Sequence, residues 1–135
     1  IFALGNTVYS SLAAATELKK EGISATVVNS RFAKPLDQEL IRTLVQKTRN
    51  LLTVEENVLA GGFGSALLEA LEQNNISGIK VKRIGIPDCF VEHGSPEILR
   101  KKYGLDVTGI YRSAQELLCP PKSREVFSKL NAGGY

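Results

Sequence analysis

A short apolar run, two carboxylates and a glycine-rich turn follow one another in the middle of this 135-residue chain. Residues 51–54 are apolar or β-branched and predict a buried strand that ends at Glu55 and Glu56. Three of the residues 61–64 are glycine, and the missing Cβ atoms let the backbone turn sharply and a new helix pack close to a sheet. This strand–turn–helix junction is typical of an α/β domain.

The glycine turn has two interpretations. A helix amino end presents N–H groups without helical partners, so Gly61, Gly62, Gly64 and Ser65 are candidate anion-binding residues. The alternative is a tight strand-to-helix junction in which Ser65 caps the helix. The turn is neither a P-loop, since no Lys-Ser/Thr pair follows the glycines, nor a dinucleotide fingerprint, since Gly-Gly-Phe-Gly lacks the required register.

Strand and helix patterns alternate along the rest of the chain. We predict strands at residues 1–4, 25–28, 51–54 and 79–86, and helices over 8–22, 37–49, from the glycine turn to about 74, 95–104, 108–118 and near 126–130. Asp37 and Ser95 are the predicted caps of two of these helices. Strand–helix repeats with short connections predict one α/β domain whose mostly parallel sheet is covered by helices on both faces.

Composition restricts the classes of function. A net charge of +3, without basic clusters among stacking aromatic residues, argues against nucleic-acid binding. No apolar run approaches the length of a membrane span. Cys89 and Cys119 lack metal-ligand spacing and predict two reduced thiols in a cytoplasmic protein without a metal site. Because the chain contains no methionine and opens on an apolar strand, we expect it to be the C-terminal piece of a larger protein.

Glu55 and Glu56 follow the predicted third strand, at the end of a parallel strand where open α/β sheets place ligands. Neighbouring side chains of a strand point to opposite faces, so the two carboxylates do not form a catalytic pair. We expect one of them to face solvent and the other to hold loop amides or a partner chain.

The loop at residues 87–95 contains the single histidine, His93, next to Glu92. Histidine titrates near neutral pH, so a proton-shuttle role is one interpretation. No activated serine or cysteine nucleophile accompanies it, which favours a histidine that bonds loop backbone ahead of the Ser95 cap. Asp88 and His93 are therefore predicted to structure the loop or to contribute to an interface.

Four segments together resemble the C-terminal domain of the transketolase superfamily, and within it the 1-deoxy-D-xylulose 5-phosphate synthases. The segments are residues 28–37 (VNSRFAKPLD), 53–57 with 61–65 (TVEEN and GGFGS), 85–95 (GIPDCFVEHGS) and 103–110 (YGLDVTGI). The Pro-Leu-Asp element and the Glu-Glu pair with its glycine turn are shared with transketolases and with 2-oxoacid dehydrogenase β subunits. The 88–95 loop and the Gly-Leu-Asp element favour the synthases.

This resemblance implies a three-layer α/β/α fold with parallel strands in the order 2-1-3-4. An antiparallel edge strand would precede the first of them, and we expect the chain to begin after it. The resembling core extends to about residue 118, and residues 119–135 form an extension without a recognised counterpart. Thiamine-binding domains would lie before the chain, so residues 1–135 would contain a single domain.

The resemblance also implies a parent transferase that joins pyruvate to glyceraldehyde 3-phosphate with loss of carbon dioxide, for isoprenoid and thiamine biosynthesis. The parent would use thiamine diphosphate and Mg²⁺, both held by other domains. No catalytic, cofactor-binding or metal residue is therefore expected in this chain, which would support a homodimer in the cytoplasm, or in the plastid stroma of a photosynthetic eukaryote.

Two alternatives remain at this point. One is a regulatory module of a transketolase-like enzyme that binds a phosphorylated metabolite or nucleotide at the glycine turn. The other is the corresponding domain of a 2-oxoacid dehydrogenase β subunit.

Overall fold

The computed structural model describes residues 1–119. The elements in chain order are β1 (Phe2–Ala3), α1 (Thr7–Lys20), β2 (Val28–Asn29), α2 (Gln38–Lys47), β3 (Asn50–Val58), α3 (Phe63–Gln73), β4 (Lys80–Ile86), α4 (Pro96–Lys102) and α5 (Val107–Leu118). The helix predicted near residues 126–130 and nearly all of the predicted C-terminal extension lie outside the described residues.

The four strands form one parallel sheet in the order β2-β1-β3-β4. Phe2 is aligned with Val28 on one side and with Thr53 on the other, and Thr53 is aligned with Arg83 of β4. The α/β class and the strand order 2-1-3-4 are therefore confirmed. Since all four strands run in the same direction, the loops that follow them meet at one edge of the sheet, which we call the carboxyl edge.

Helices cover both faces of the sheet, as predicted. Leu51 and Leu52 are adjacent in β3 and point to opposite faces, so each enters a different hydrophobic cluster. One cluster joins the sheet to α2 and α3, through Ile41, Val45, Phe63, Leu67 and Leu71. The other joins it to α1 and α5, through Ala14, Leu18, Ile110 and Ala114. The result is the expected three-layer α/β/α arrangement.

Local sequence rules account for most helix starts. The Asp37 side chain accepts a hydrogen bond from the Leu40 N–H, and Ser95 accepts one from Ile98, as their predicted cap positions require. Asp106 caps α5, which begins one residue before the predicted helix.

The largest differences from the predictions concern two strands and one cap, while other element boundaries shift by one or two residues. β2 lies at Val28–Asn29 rather than at 25–28, and β3 continues through the two glutamates to Val58. Pairing with β4 explains the longer β3, because Val58 is still aligned with Ile86. The N-cap of α3 is Gly62 and not Ser65, which lies inside the helix.

A close backbone contact joins the end of α4 to the start of α5. Gly104 has a positive φ of 70° and ends α4, and Gly109 lies against it in the first turns of α5. A Cβ atom on Gly109 would lie 2.5 Å from the Gly104 carbonyl carbon, which is too close for any relaxed structure.

We expect Gly109→Ala to lower the free energy of unfolding by about 2 kcal/mol, because the added methyl group forces two backbone segments apart. Urea denaturation of the 135-residue chain measures the change. Gly94→Ala is the matched control, since a Cβ atom there would meet only Leu99, at an ordinary 3.4 Å. Equal stabilities of the two variants would contradict the contact.

Candidate functional site

Glu55 is completely buried at the point where β3 meets the glycine turn. Its carboxylate accepts hydrogen bonds from the backbone N–H groups of Phe63, at 2.6 Å, and of Gly64, at 2.8 Å. The side-chain amide of Asn57 donates a third, at 3.2 Å. The first N–H groups of a helix have no partner inside the helix, and its amino end carries partial positive charge. An internal carboxylate therefore satisfies the amino end of α3.

The glycines allow this close approach. A Cβ atom on Gly62 would lie 2.5 Å from Oε2 of Glu55, and one on Gly64 would lie 2.6 Å from Oγ1 of Thr53. Gly61 has a φ of 69°, in the left-handed region that favours glycine. The geometry of the junction therefore explains why glycine is present at each of these three positions.

Side-chain hydrogen bonds of Ser65 and Arg83 also stabilise the glycine turn, through the carbonyl oxygen of Leu59 at its start. The Ser65 hydroxyl donates to the carbonyl oxygen of Leu59 at 2.9 Å and accepts a hydrogen bond from Nη1 of Arg83 at 2.8 Å. Arg83 also donates to the Leu59 carbonyl, at 3.2 Å. Because β4 is aligned with β3 in register, the Arg83 side chain reaches a helix that begins twenty residues earlier in the chain.

Glu56 lies where strand order reverses between β1 and β3, the place at which open parallel sheets bind ligands. Its carboxylate forms an ion pair with the Arg100 guanidinium and accepts a hydrogen bond from the Asn6 side-chain amide at 3.1 Å. Asn6 follows β1, and Arg100 belongs to α4. The side chain therefore connects three separate segments at the carboxyl edge.

The structure does not bring Asp88 or His93 into this network. Both side chains are exposed, and neither forms a hydrogen bond within residues 1–119. Glu92, the neighbour of His93, is paired instead with Lys102, whose hydrogen bond lowers the pKa of the Glu92 carboxyl below its ordinary value. The loop or interface role of Asp88 and His93 remains a prediction.

An open groove of about 760 Å³ separates the 33–36 loop from the glycine turn and α3. Ala33, Pro35, Gly62, Phe63 and Ala66 supply much of its apolar surface. Among the described residues, its charged lining consists of one lysine, Lys34, and one glutamate, Glu69, so these residues give the groove no excess of positive charge for an anion.

The described residues do not fit thiamine diphosphate with Mg²⁺. The amino end of α3, in the glycine turn, already holds the Glu55 carboxylate. Within residues 1–119, no three or more His, Cys, Asp or Glu side chains are grouped so that they could hold a metal ion. The described helices include none with the length and apolar character needed to cross a membrane.

Residues 1–110 match the family model described as "Transketolase, C-terminal domain". The chain belongs to this transketolase C-terminal domain family. The match covers every described strand and the first turn of α5. It confirms the resemblance drawn from the Glu-Glu pair and the glycine turn.

Bacterial relatives named 1-deoxy-D-xylulose-5-phosphate synthase are similar over most of this domain. The relative from Syntrophus aciditrophicus is 49% identical over 126 residues, which are 93% of this chain and 19% of that protein. The relative from Heliobacterium modesticaldum is 51% identical over 124 residues, 92% of this chain and 19% of that protein. The relative from Geobacter metallireducens, named 1-deoxy-D-xylulose-5-phosphate synthase 1, is 53% identical over 110 residues, which are 82% of this chain and 18% of that protein. The chain spans about a fifth of the length of these relatives.

A solved structure described as "Split gene transketolase, inactive beta4 tetramer" has the same fold. It superposes with a TM-score of 0.79 at 37% sequence identity, over 87% of this chain and 38% of that one. The similarity places the parallel sheet and its helices in the transketolase architecture.

Sequence analysis missed four side chains that complete the site. Asn57 binds Glu55, Arg83 binds Ser65, and both Asn6 and Arg100 bind Glu56. Asn57 directly follows the two glutamates, which was a usable signal. No sequence signal indicated Arg83 or Arg100, because their contacts depend on how β4 and α4 are positioned against β3.

We expect Glu55→Gln to lower the free energy of unfolding by about 2–3 kcal/mol. Glutamine keeps one acceptor oxygen but turns an NH₂ group toward one of two buried N–H donors, which then lacks an acceptor. Urea denaturation measures the loss. Glu72→Gln is the control, since Glu72 is exposed on the same helix and its substitution should change stability by less than about 0.5 kcal/mol. Equal losses of stability in the two variants would contradict a stabilising role for the buried carboxylate.

Proposed function

We propose that this chain is the C-terminal domain of a thiamine-diphosphate-dependent 1-deoxy-D-xylulose 5-phosphate synthase and that its role is structural. Its single domain would follow the thiamine-binding domains of the parent. The structural role rests on one observation: donors of the protein itself bind the carboxylates of both Glu55 and Glu56. These two residues lie at the end of the sheet where parallel α/β proteins bind ligands. Identities near 50% to proteins with the synthase name support the choice of parent.

The parent enzyme would join pyruvate to glyceraldehyde 3-phosphate, release carbon dioxide and produce deoxyxylulose 5-phosphate for isoprenoid biosynthesis. Thiamine diphosphate and Mg²⁺ would be held by its other domains, and this domain would supply no catalytic residue. The enzyme would work in the cytoplasm, or in the stroma of a plastid. The synthase name of the relatives favours this parent over a 2-oxoacid dehydrogenase β subunit.

The domain would support assembly of a parent homodimer through its carboxyl edge. Exposed apolar side chains follow each strand there: Tyr9 (80% exposed) after β1, Phe32 (63%) after β2, Val58 at the end of β3, and the fully exposed Phe90 after β4. Large apolar side chains grouped at one edge are typical of an interaction surface. The split gene transketolase is described as a tetramer, which supports self-association in this family.

Val91 follows Phe90 in the loop after β4, at the carboxyl edge. We expect Val91→Asp in the full-length parent to weaken the dimer at least tenfold, because a carboxylate would be buried there without a partner. Light scattering over a dilution series measures the dissociation constant. Leu118→Asp is the matched control: Leu118 is 39% exposed, Val91 is 40% exposed, and Leu118 ends α5 beside the amino ends of the strands. Equal dissociation constants for the two variants would refute this use of the edge.

We also expect the 135-residue chain to bind no thiamine diphosphate and to form no deoxyxylulose phosphate. Calorimetry with Mg²⁺ and thiamine diphosphate measures the first, and product formation from pyruvate and glyceraldehyde 3-phosphate the second. Stoichiometric cofactor binding would contradict the proposal. So would a folded, dimeric full-length His93→Ala variant that loses nearly all turnover, because His93 would then be a catalytic residue.

The regulatory module remains the second candidate, since helix amino ends in glycine turns do bind phosphates. Glu55 opposes it, because a phosphate at the same N–H groups would have to displace or approach a buried negative charge. Saturable binding of a nucleotide that is abolished by Gly64→Val, in a variant that stays folded, would favour this candidate over the structural role.

A further inference from the structure

A second pocket, of about 290 Å³, lies where β3 begins, on the side of the sheet opposite the glycine turn, which we call the amino edge. It is lined by Arg42, Val45, Gln46, Arg49, Asn74 and Ile76. Arg49 directly precedes β3, and its carbonyl oxygen accepts a hydrogen bond from Lys80 at the start of β4. The nine residues of β3 separate this pocket from the glycine turn by roughly 25 Å.

The pocket contains two guanidinium groups that have only neutral acceptors. Nε of Arg42 donates to Oδ1 of Asn74 at 3.0 Å, and Nη1 of Arg49 donates to the Ser77 carbonyl oxygen at 3.2 Å. Within residues 1–119, the ion pairs involve Lys20, Lys82, Arg100 and Lys102, and no carboxylate lies within 4.0 Å of Arg42 or Arg49. None of the described residues that line the pocket is acidic.

The hydrogen bonds in this pocket fix the orientation of Arg42 and leave several N–H donors of both arginines available. Asn74 is itself fixed, because its amide group donates to the Ala70 carbonyl at 2.6 Å, and its oxygen holds Nε and Nη2 of Arg42. A guanidinium has five N–H donors, so Arg42 and Arg49 retain several for a ligand. The carboxyl ends of α2 and α3 both lie at this pocket and together contribute about one negative charge, against two full positive charges.

We propose that this pocket binds the phosphate group of a small phosphorylated metabolite. Planar guanidinium forks match phosphate oxygens in pairs, and Gln46 adds a side-chain amide at the rim. Val45 and Ile76 provide an apolar wall for the carbon chain of the ligand, and the volume suits a molecule of a few carbon atoms. The site is distinct from the glycine turn and does not depend on the proposed function.

Titration of the 135-residue chain with glycerol 3-phosphate, followed by NMR, tests the proposal, with inorganic phosphate as a second probe and sodium chloride at equal ionic strength as the blank. We expect saturable shifts of the Ile76 amide and of the Nε–H signals of Arg42 and Arg49. The double variant Arg42→Gln/Arg49→Gln should bind at least tenfold more weakly. Lys101→Gln/Arg112→Gln removes the same charge from exposed positions on α4 and α5 and should bind as the unaltered chain does.

Three results would overturn the proposal. The first is a set of shifts that do not saturate or that chloride reproduces. The second is saturable binding centred on residues 61–65, which would instead support the regulatory module. The third is an Arg42→Gln/Arg49→Gln variant that melts earlier but binds equally well, because the two arginines would then only hold the turn before β4. If that variant does not fold, Arg42→Lys/Arg49→Lys keeps the charge, loses the forks, and should bind at least threefold more weakly.

Discussion

The buried carboxylate of Glu55 is the interaction on which the rest of this domain depends. A charge without solvent contact is tolerated only when donors surround it, and here two backbone N–H groups and the Asn57 amide do so. That requirement places the start of α3 directly against β3. It leaves no room for a Cβ atom at Gly62, where the carboxylate oxygen would be 2.5 Å away. One side chain thus determines the shape of a turn and the start of a helix.

The same interaction explains why a junction that looks like a ligand site supports a structural role. In parallel α/β proteins the amino end of a helix at the carboxyl edge commonly meets an anionic ligand. In this domain the anion belongs to the protein, and Glu56 beside it is held by Arg100 and Asn6. The transketolase architecture is kept, while the N–H donors at the start of α3 bind a carboxylate of the protein itself.

The two edges of the sheet differ in chemistry because different segments reach them. The carboxyl edge carries acidic residues with internal partners and several exposed apolar side chains, among them Tyr9 and Phe90. The amino edge carries Arg42 and Arg49 with neutral partners only, among the described residues. These differences underlie the two proposals, a protein partner for the first surface and a small anion for the second.

The sequence by itself determined the α/β class, the helix caps at Asp37 and Ser95, and the family. These features rest on periodicity, capping and short motifs, all of which act between residues close together in the chain. Only the tertiary structure decided which of two adjacent glutamates is buried, that β3 continues through both of them, and that Arg83 and Arg100 complete the site. Those contacts join residues 18 and 44 positions apart, so they depend on strand register and on where α4 packs. No local sequence pattern predicts these contacts, because the two side chains come together only after the sheet has formed.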